Sequence, residues 1–210
     1  IMTAGASHWE HVYRNKASDD VSWFQHDPRP SLDALKFRGP DHQSLIDVGG
    51  GASRLVDTLD AQGWHDLTVL DISGAALAQA RARMGARAAN VRWIVADLTA
   101  WQPDRTYDVW HDRAVFHFLT DSGQRAAYLG ALKRVLCPGG LAIVATFAPD
   151  GPDKCSGLPV CKYDAQTMGA ELGPAFRLLH TFREVHRTPG GVPQPFCWCV
   201  FEHAPDAASG

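Results

Sequence analysis

From residue 44 onward, short apolar runs alternate with segments whose apolar positions recur every three to four residues. Ser44–Val48 is an apolar run that stops at glycines and predicts a first strand. Leu55, Val56 and Leu59 then share one face of a helix over residues 52–62, which Gly63 ends. The same rhythm predicts a strand at Leu67–Leu70, an alanine-rich helix at Ala75–Met84 closed by Gly85, and strands at Val91–Val95 and Tyr107–Trp110. A helix over residues 121–136 carries Leu129, Leu132 and Val135 inward. Pro138-Gly139-Gly140 breaks it before a fifth strand at Leu141–Phe147. Strands alternating with helices imply an α/β fold: a doubly wound, mostly parallel sheet with right-handed crossovers.

The pattern changes near the end. A helix at Ala165–Leu172 precedes two long strands, about residues 176–187 and 195–203, joined by a turn rich in glycine and proline. The sheet therefore ends in a hairpin. Phe196, Trp198 and Val200 share one face of the last strand and Cys197, Cys199 and Phe201 the other, so it should be covered on both sides. Residues 1–43 read as helical pieces joined by a loop, with helix continuation blocked across Asp27–Pro30 by two prolines. The expected division is a helical lid segment over 1–43, a binding domain over 44–203 and a fraying tail over 204–210.

The sharpest chemical signal lies where strand one meets its helix. Gly49, Gly50 and Gly51 permit a tight turn and close approach of a ligand to the backbone, at the end of the sheet where such folds bind ligands. A dinucleotide site would need a third spaced glycine, and Arg54 stands there. Asp47 suits a cationic ligand part and would repel a pyrophosphate. Asp71, at the end of strand two, is suited to accept two ribose hydroxyls, since a carboxylate has two oxygens. Asp97, after strand three, is placed to accept from an adenine amine, with the Leu98 N–H beside it. Taken singly, each of these also fits a tight turn or a helix N-cap. Their spacing on successive strand ends describes a nucleoside bearing an amino acid in place of a diphosphate.

Several segments carry a family resemblance: residues 45–53, Val69–Ile72, Val95–Leu98, Tyr107–Trp110 and Leu136–Leu141. In them the chain resembles the class I S-adenosylmethionine-dependent methyltransferases. The resemblance implies a seven-stranded Rossmann-like sheet of order 3-2-1-4-5-7-6 with strand seven antiparallel. It implies S-adenosylmethionine as cofactor and S-adenosylhomocysteine as product. Asp47 and Gly49–Gly51 would hold the methionine portion, Asp71 with Ile72 the ribose, and Asp97 with Leu98 the adenine. Ser53 departs from the family's third spaced glycine. His8–Tyr13 and Val21–Phe24 resemble the N-terminal lid of small methyltransferases, including some that act on lysines of translation factors, so Trp9, Tyr13, Trp23 and Phe24 are expected over the cofactor. Trp110–Ala114 resembles the segment after strand four in thiopurine S-methyltransferases. The acceptor should sit beside the end of strand four, which makes His111, Asp112 and Arg113 the candidate catalytic residues, as base, orienting group and anion partner, with His117 near them; a solvated turn in which Asp112 caps a short helix and Arg113 pairs locally is the alternative.

The remaining features narrow the partners. Net charge is −3 with no run of like charges, which argues against nucleic acid. No apolar run reaches the ~20 residues that span a bilayer, and no secretory leader is visible, so a cytoplasmic location is expected. Five cysteines do not suggest a disulfide framework. Cys155 and Cys161 flank a loop near the expected acceptor pocket and would suit a soft metalloid, but zinc spacing is absent and no metal site is assigned. A small-molecule nucleophile, such as a thiol or other soft atom, is the expected acceptor. A protein lysine and a non-catalytic cofactor-binding module are the alternatives.

Overall fold

In a computed structural model, residues 4–16, 20–22, 24–41 and 43–205 are described. The seven-stranded sheet runs β3-β2-β1-β4-β5-β9-β8. Its members are β1 (Ser44–Val48), β2 (Asp66–Asp71), β3 (Val91–Val95), β4 (Tyr107–Arg113), β5 (Leu136–Phe147), β8 (Phe176–Arg187) and β9 (Pro193–His203). The first five are parallel, and β9 inserts antiparallel between β5 and β8. This is the expected order, with the seventh sheet strand numbered ninth because a small hairpin intervenes: β6 (Lys154–Cys155) and β7 (Leu158–Pro159). Its turn places Ser156 at φ 49° and Gly157 at φ 79°, the left-handed pair that a two-residue hairpin demands.

Helices cover both faces. One apolar cluster joins α2 (Arg29–Leu35), α3 (Leu55–Ala61) and α4 (Gly74–Met84) to Leu45, Val69, Ile143 and Trp198. The other joins α5 (Ser122–Val135) and α6 (Ala165–Leu172) to Ile46, Trp110, Val144 and Phe201. Trp198 and Phe201 are thus buried on opposite faces of β9, as its two apolar faces required. Cys155 packs in the first cluster and Cys161 against the second. Among the described residues no group of three or more metal-ligating side chains forms.

Two local expectations need correction. Asp27–Pro30 does not only interrupt a helix: α2 begins at Arg29, with Pro30 in its first turn, where a missing N–H costs nothing. The Pro138-Gly139-Gly140 segment lies inside β5 instead of before it. Leu136 pairs with Tyr107 and Leu141 with Val109, so residues 137–140 bulge outward between two paired positions.

α1 (Ala4–Asn15) crosses the carboxyl end of the sheet and is tied to α4. Glu10 accepts hydrogen bonds from Ser73 Oγ at 2.8 Å and Ala75 N at 3.1 Å, capping the first turn of α4. Gln79 Nε2 donates to Tyr13 O at 2.6 Å. No helix among the described residues is long and apolar enough to cross a membrane.

Candidate active site

The glycine turn is sterically closed to any side chain. Gly49 has φ 68°, and a Cβ there would lie 2.2 Å from Val115 Cγ2. At Gly50 it would lie 2.5 Å from Asp47 Oδ2, and at Gly51 2.8 Å from Asp71 Oδ2. Gly49 N donates to Leu70 O at 2.6 Å, which seats the turn against β2. Ser53 Oγ accepts from Leu55 N at 3.0 Å, so the residue in the place of the third glycine closes the turn that leads into α3.

Beside this turn opens a cavity of about 390 Å³, lined on its floor by Gly49, Asp71, Ile72, Asp97 and Leu98. Trp9 and Tyr13 of α1 line it from above, and Val115, Phe118, Leu119 and Leu158 supply apolar wall. Trp9 meets Phe118 edge-on, with ring centroids 5.1 Å apart. Asp71 is buried and accepts from Gly51 N at 3.0 Å and Ser73 N at 2.9 Å. Burial pushes its carboxyl up to about 6, outweighing the backbone donors that favour the ionised form. Asp97 accepts from Thr99 N and Thr99 Oγ1 at 3.0 and 2.7 Å. Eight expected residues therefore come together here: Trp9, Tyr13, Gly49, Asp71, Ile72, Asp97, Leu98 and Arg113. Trp23 lies outside the described residues.

A second, narrow hollow of about 30 Å³ adjoins it under the glycine turn, and Gly49 and Arg113 line both. Asp47 and His111 lie on its wall. Asp47 Oδ1 is 2.7 Å from His111 Nδ1, and His111 Nε2 is 2.9 Å from Ser31 Oγ. A carboxylate oxygen only accepts, so Nδ1 carries the hydrogen and Nε2 accepts from the serine. Asp47 Oδ2 is buried with no partner among the described residues. The hollow therefore carries in its wall a buried carboxylate oxygen that no described side chain answers.

The three residues after Trp110 do not form one constellation. His111 and Arg113 point to the face of α2 and Trp198, with the Arg113 guanidinium 4.6 Å over Phe196 and 3.9 Å from Glu184 Oε1. Asp112 points the other way and lines neither space. Its carboxylate accepts from Val115 N, Phe116 N and Tyr128 OH at 2.8, 3.0 and 2.7 Å. Burial holds its carboxyl up at about 6. His117 is fully buried and lines neither space. Burial, then the nearby Arg113 charge, lowers it to about 3 and keeps it neutral. Sequence reading missed Glu10 and Phe118, whose roles arise only when α1 folds back over the sheet. It used Arg54, which lines the narrow hollow, only as an exclusion.

Residues 45–140 match the family model described as a methyltransferase domain. Over 111 residues the chain is 30% identical to malonyl-[acyl-carrier protein] O-methyltransferase of Paenibacillus sp. (strain JDR-2), covering 50% of this chain and 39% of that protein. Over 150 residues it is 26% identical to eEF1A lysine and N-terminal methyltransferase of Mus musculus, covering 68% of this chain and 21% of that protein. The chain thus spans well under half the length of the curated relatives it matches. Among solved structures, the N-methyltransferase NodS from Bradyrhizobium japonicum with S-adenosyl-L-homocysteine superposes with a TM-score of 0.69 at 16% identity, covering 92% of this chain and 97% of that one. That likeness speaks for the fold. With the matched domain and the sheet order, the chain is similar to the class I S-adenosylmethionine-dependent methyltransferases in its fold and in the methyltransferase domain over residues 45–140.

Proposed function

We propose that the chain transfers the methyl group of S-adenosylmethionine to a small-molecule nucleophile, a thiol or other soft atom, in the cytoplasm. One observation carries the cofactor half of this reading: the glycine turn, Asp71 and Asp97, set on three successive strand ends, line a single cavity of about 390 Å³. That volume falls at the small end of ligand pockets, which run ~300–1,000 Å³. α1 lies across it, which favours a small acceptor over a protein side chain presented from a broad groove.

The roles follow from the contacts. Asp71 receives the ribose hydroxyls, and Asp97 with the Leu98 N–H reads the adenine. Asp47, oriented by His111, receives the ammonium of the amino-acid half. Trp9 and Tyr13 close over the ligand, and their π faces favour a positive sulfonium. The cofactor supplies an already activated methyl group, so the chain's task is positioning and exclusion of water. Arg113, at the junction of the two spaces, is the residue that meets an anionic part of the acceptor. His111 and Asp112 act through others: His111 orients Asp47, and Asp112 shapes the turn that carries Val115 and Phe116.

Incubation with methyl-labelled S-adenosylmethionine and fractionated cell extract tests this. Label in a small-molecule fraction is the expected result. Label in protein would transfer the reading to a lysine methyltransferase. S-adenosylhomocysteine binding with no turnover on any fraction would leave a binding module.

A further inference from the structure

We propose that Cys197 and Cys199 chelate one thiophilic divalent cation of the zinc type, with Thr181 as a third ligand, on the sheet face away from the narrow hollow. Residues i and i+2 of a strand share a face, and on β9 that face carries Cys197, Cys199 and Phe201. The two Sγ atoms stand 3.8 Å apart. Thr181 Oγ1, on the neighbouring β8, stands 3.8 Å from Cys197 Sγ and 4.0 Å from Cys199 Sγ. The three donor atoms thus form a nearly equilateral triangle. Zinc binds thiolate sulfur at ~2.3 Å with tetrahedral angles, which sets two sulfurs on one ion about 3.8 Å apart. The protein already holds that spacing, so an ion would seat without moving the strand.

The surroundings favour an ion over the two other uses of such a pair. A disulfide is the first. Residues i and i+2 of a strand stand ~6.6–6.8 Å apart at Cα, the far end of the ~4.4–6.8 Å that a disulfide spans. Closing it would buckle β9 where Cys197 and Cys199 pair with Thr146 and Val144 of β5. Plain core packing is the second. Gly169 of α6 lies over Phe201, but the cover thins beyond it: Thr181, paired with Cys199, and Arg183, paired with Cys197, are both exposed. The thiols are buried, yet the third vertex of the triangle opens to solvent and gives an ion its way in. Arg183 does not compete for the thiolates, since Asp150 holds it through two bonds of 2.7 Å. The charges also balance. A divalent ion displaces the two S–H protons to solvent, so two metal–sulfur bonds replace two S–H bonds and the filled site adds no net charge to a buried strand. Water takes the fourth position.

Cadmium, a thiophilic stand-in for zinc whose sulfur-to-metal charge transfer absorbs in the ultraviolet, tests this on the reduced full chain. The wild type should take up one cadmium per chain with that band, and zinc should displace it. Zinc should also raise the melting temperature, because it binds the folded state. Cys197→Ser and Cys199→Ser should each lose the band at matched concentration, while Cys161→Ser keeps it. Thr181→Val should weaken cadmium by about tenfold. Thr181→Cys, at an exposed position, should raise the band by about half as a third thiolate joins two. A wild type without the band overturns the proposal, as does a band that survives Cys197→Ser or Cys199→Ser or vanishes in Cys161→Ser. A band unchanged in Thr181→Cys overturns the triangular site. None of these readouts uses S-adenosylmethionine, so the methyl-transfer reading stands or falls apart from them.

Discussion

The ends of β2 and β4 use the same residue type to opposite effect. Asp71 and Asp112 are both buried acids whose carboxyls burial raises to about 6, and both accept backbone hydrogen bonds, Asp71 from Ser73 after β2 and Gly51 after β1, Asp112 from Val115 and Phe116 after β4. Asp71 lines the large cavity. Asp112 lines no space at all and takes its third bond from Tyr128, which in turn accepts from Trp110 Nε1 at 2.8 Å. Burial and a perturbed carboxyl therefore do not identify a ligand-binding group here. What separates the two is the face of the strand on which each stands.

The largest effect should come from Asp112. Asp112→Ala removes an acceptor from three donors enclosed by the core, at a cost of about 3 kcal/mol or more. A melting point roughly 10 °C lower would report it. S-adenosylhomocysteine affinity, measured on the fraction that remains folded, should change little. A large loss of affinity without loss of stability would return Asp112 to the binding site.

Asp71→Ala should reverse that pattern, weakening S-adenosylhomocysteine by about a hundredfold through loss of a doubly bonded carboxylate. The two acids also separate by pH. Each has a native value near 6 against an unfolded value near 4, so between those limits the native state holds more protons. Their contribution to stability is therefore fully present below about pH 4 and is lost as pH rises through 6. Cofactor affinity should run the other way, rising as Asp71 ionises through pH 6 and levelling above it. Asp71→Asn should flatten the affinity profile, while Asp112→Asn should flatten only part of the stability slope. Identical profiles for the two variants would erase the distinction.

The same contrast explains what the sequence allowed to be read. Asp47, Asp71 and Asp97 sit at the ends of three parallel strands whose bounds follow from apolar runs, so spacing alone brought them to one corner. His111, Asp112 and Arg113 follow one another after the apolar run of strand four, and that placement pointed all three at one site. A strand alternates faces, so β4 sends the middle residue away from its neighbours. The apolar run predicts a strand that ends at Trp110, and the extension of β4 to Arg113 is what imposes that alternation. Glu10 was invisible for another reason. Its partners Ser73 and Ala75 lie more than 60 residues away, and no periodicity relates a lone acid on α1 to the start of α4. The same holds for the Pro138-Gly139-Gly140 bulge, since composition marks a break in a helix but not the pairing that resumes on both sides of it.

Glu10 gives an intermediate effect at the adenosyl end. Ser73 N and Ser73 Oγ bond Asp71 and Glu10 respectively, so α1 and Asp71 share one anchor. Glu10→Ala should speed hydrogen exchange across α1 and weaken S-adenosylhomocysteine by about five- to tenfold, the equivalent of one cap. Unaltered exchange in α1 would show that the aromatic contact of Trp9 with Phe118 holds the helix by itself.

The smallest effect belongs to Ala114, which follows directly on Arg113. Its φ of 71° is left-handed, a region that costs a residue with a Cβ about 1–2 kcal/mol. Its N–H is nevertheless bonded to Ala145 O at 2.9 Å, so β5 holds the turn in that shape. Glycine there would relieve the strain but gain freedom in the unfolded chain, which offsets part of the benefit. Ala114→Gly should therefore stabilise by about 0.5–1 kcal/mol, a rise of ~2 °C in melting temperature. Methyl transfer should slow, because Ala114 and Val115 form the cavity wall beside Arg113 and a glycine lets that wall move. If stability rises while turnover is untouched, the strained turn serves only to join β4 to Asp112's hydrogen-bonded loop, and the β4 end of the site is set by Arg113 alone.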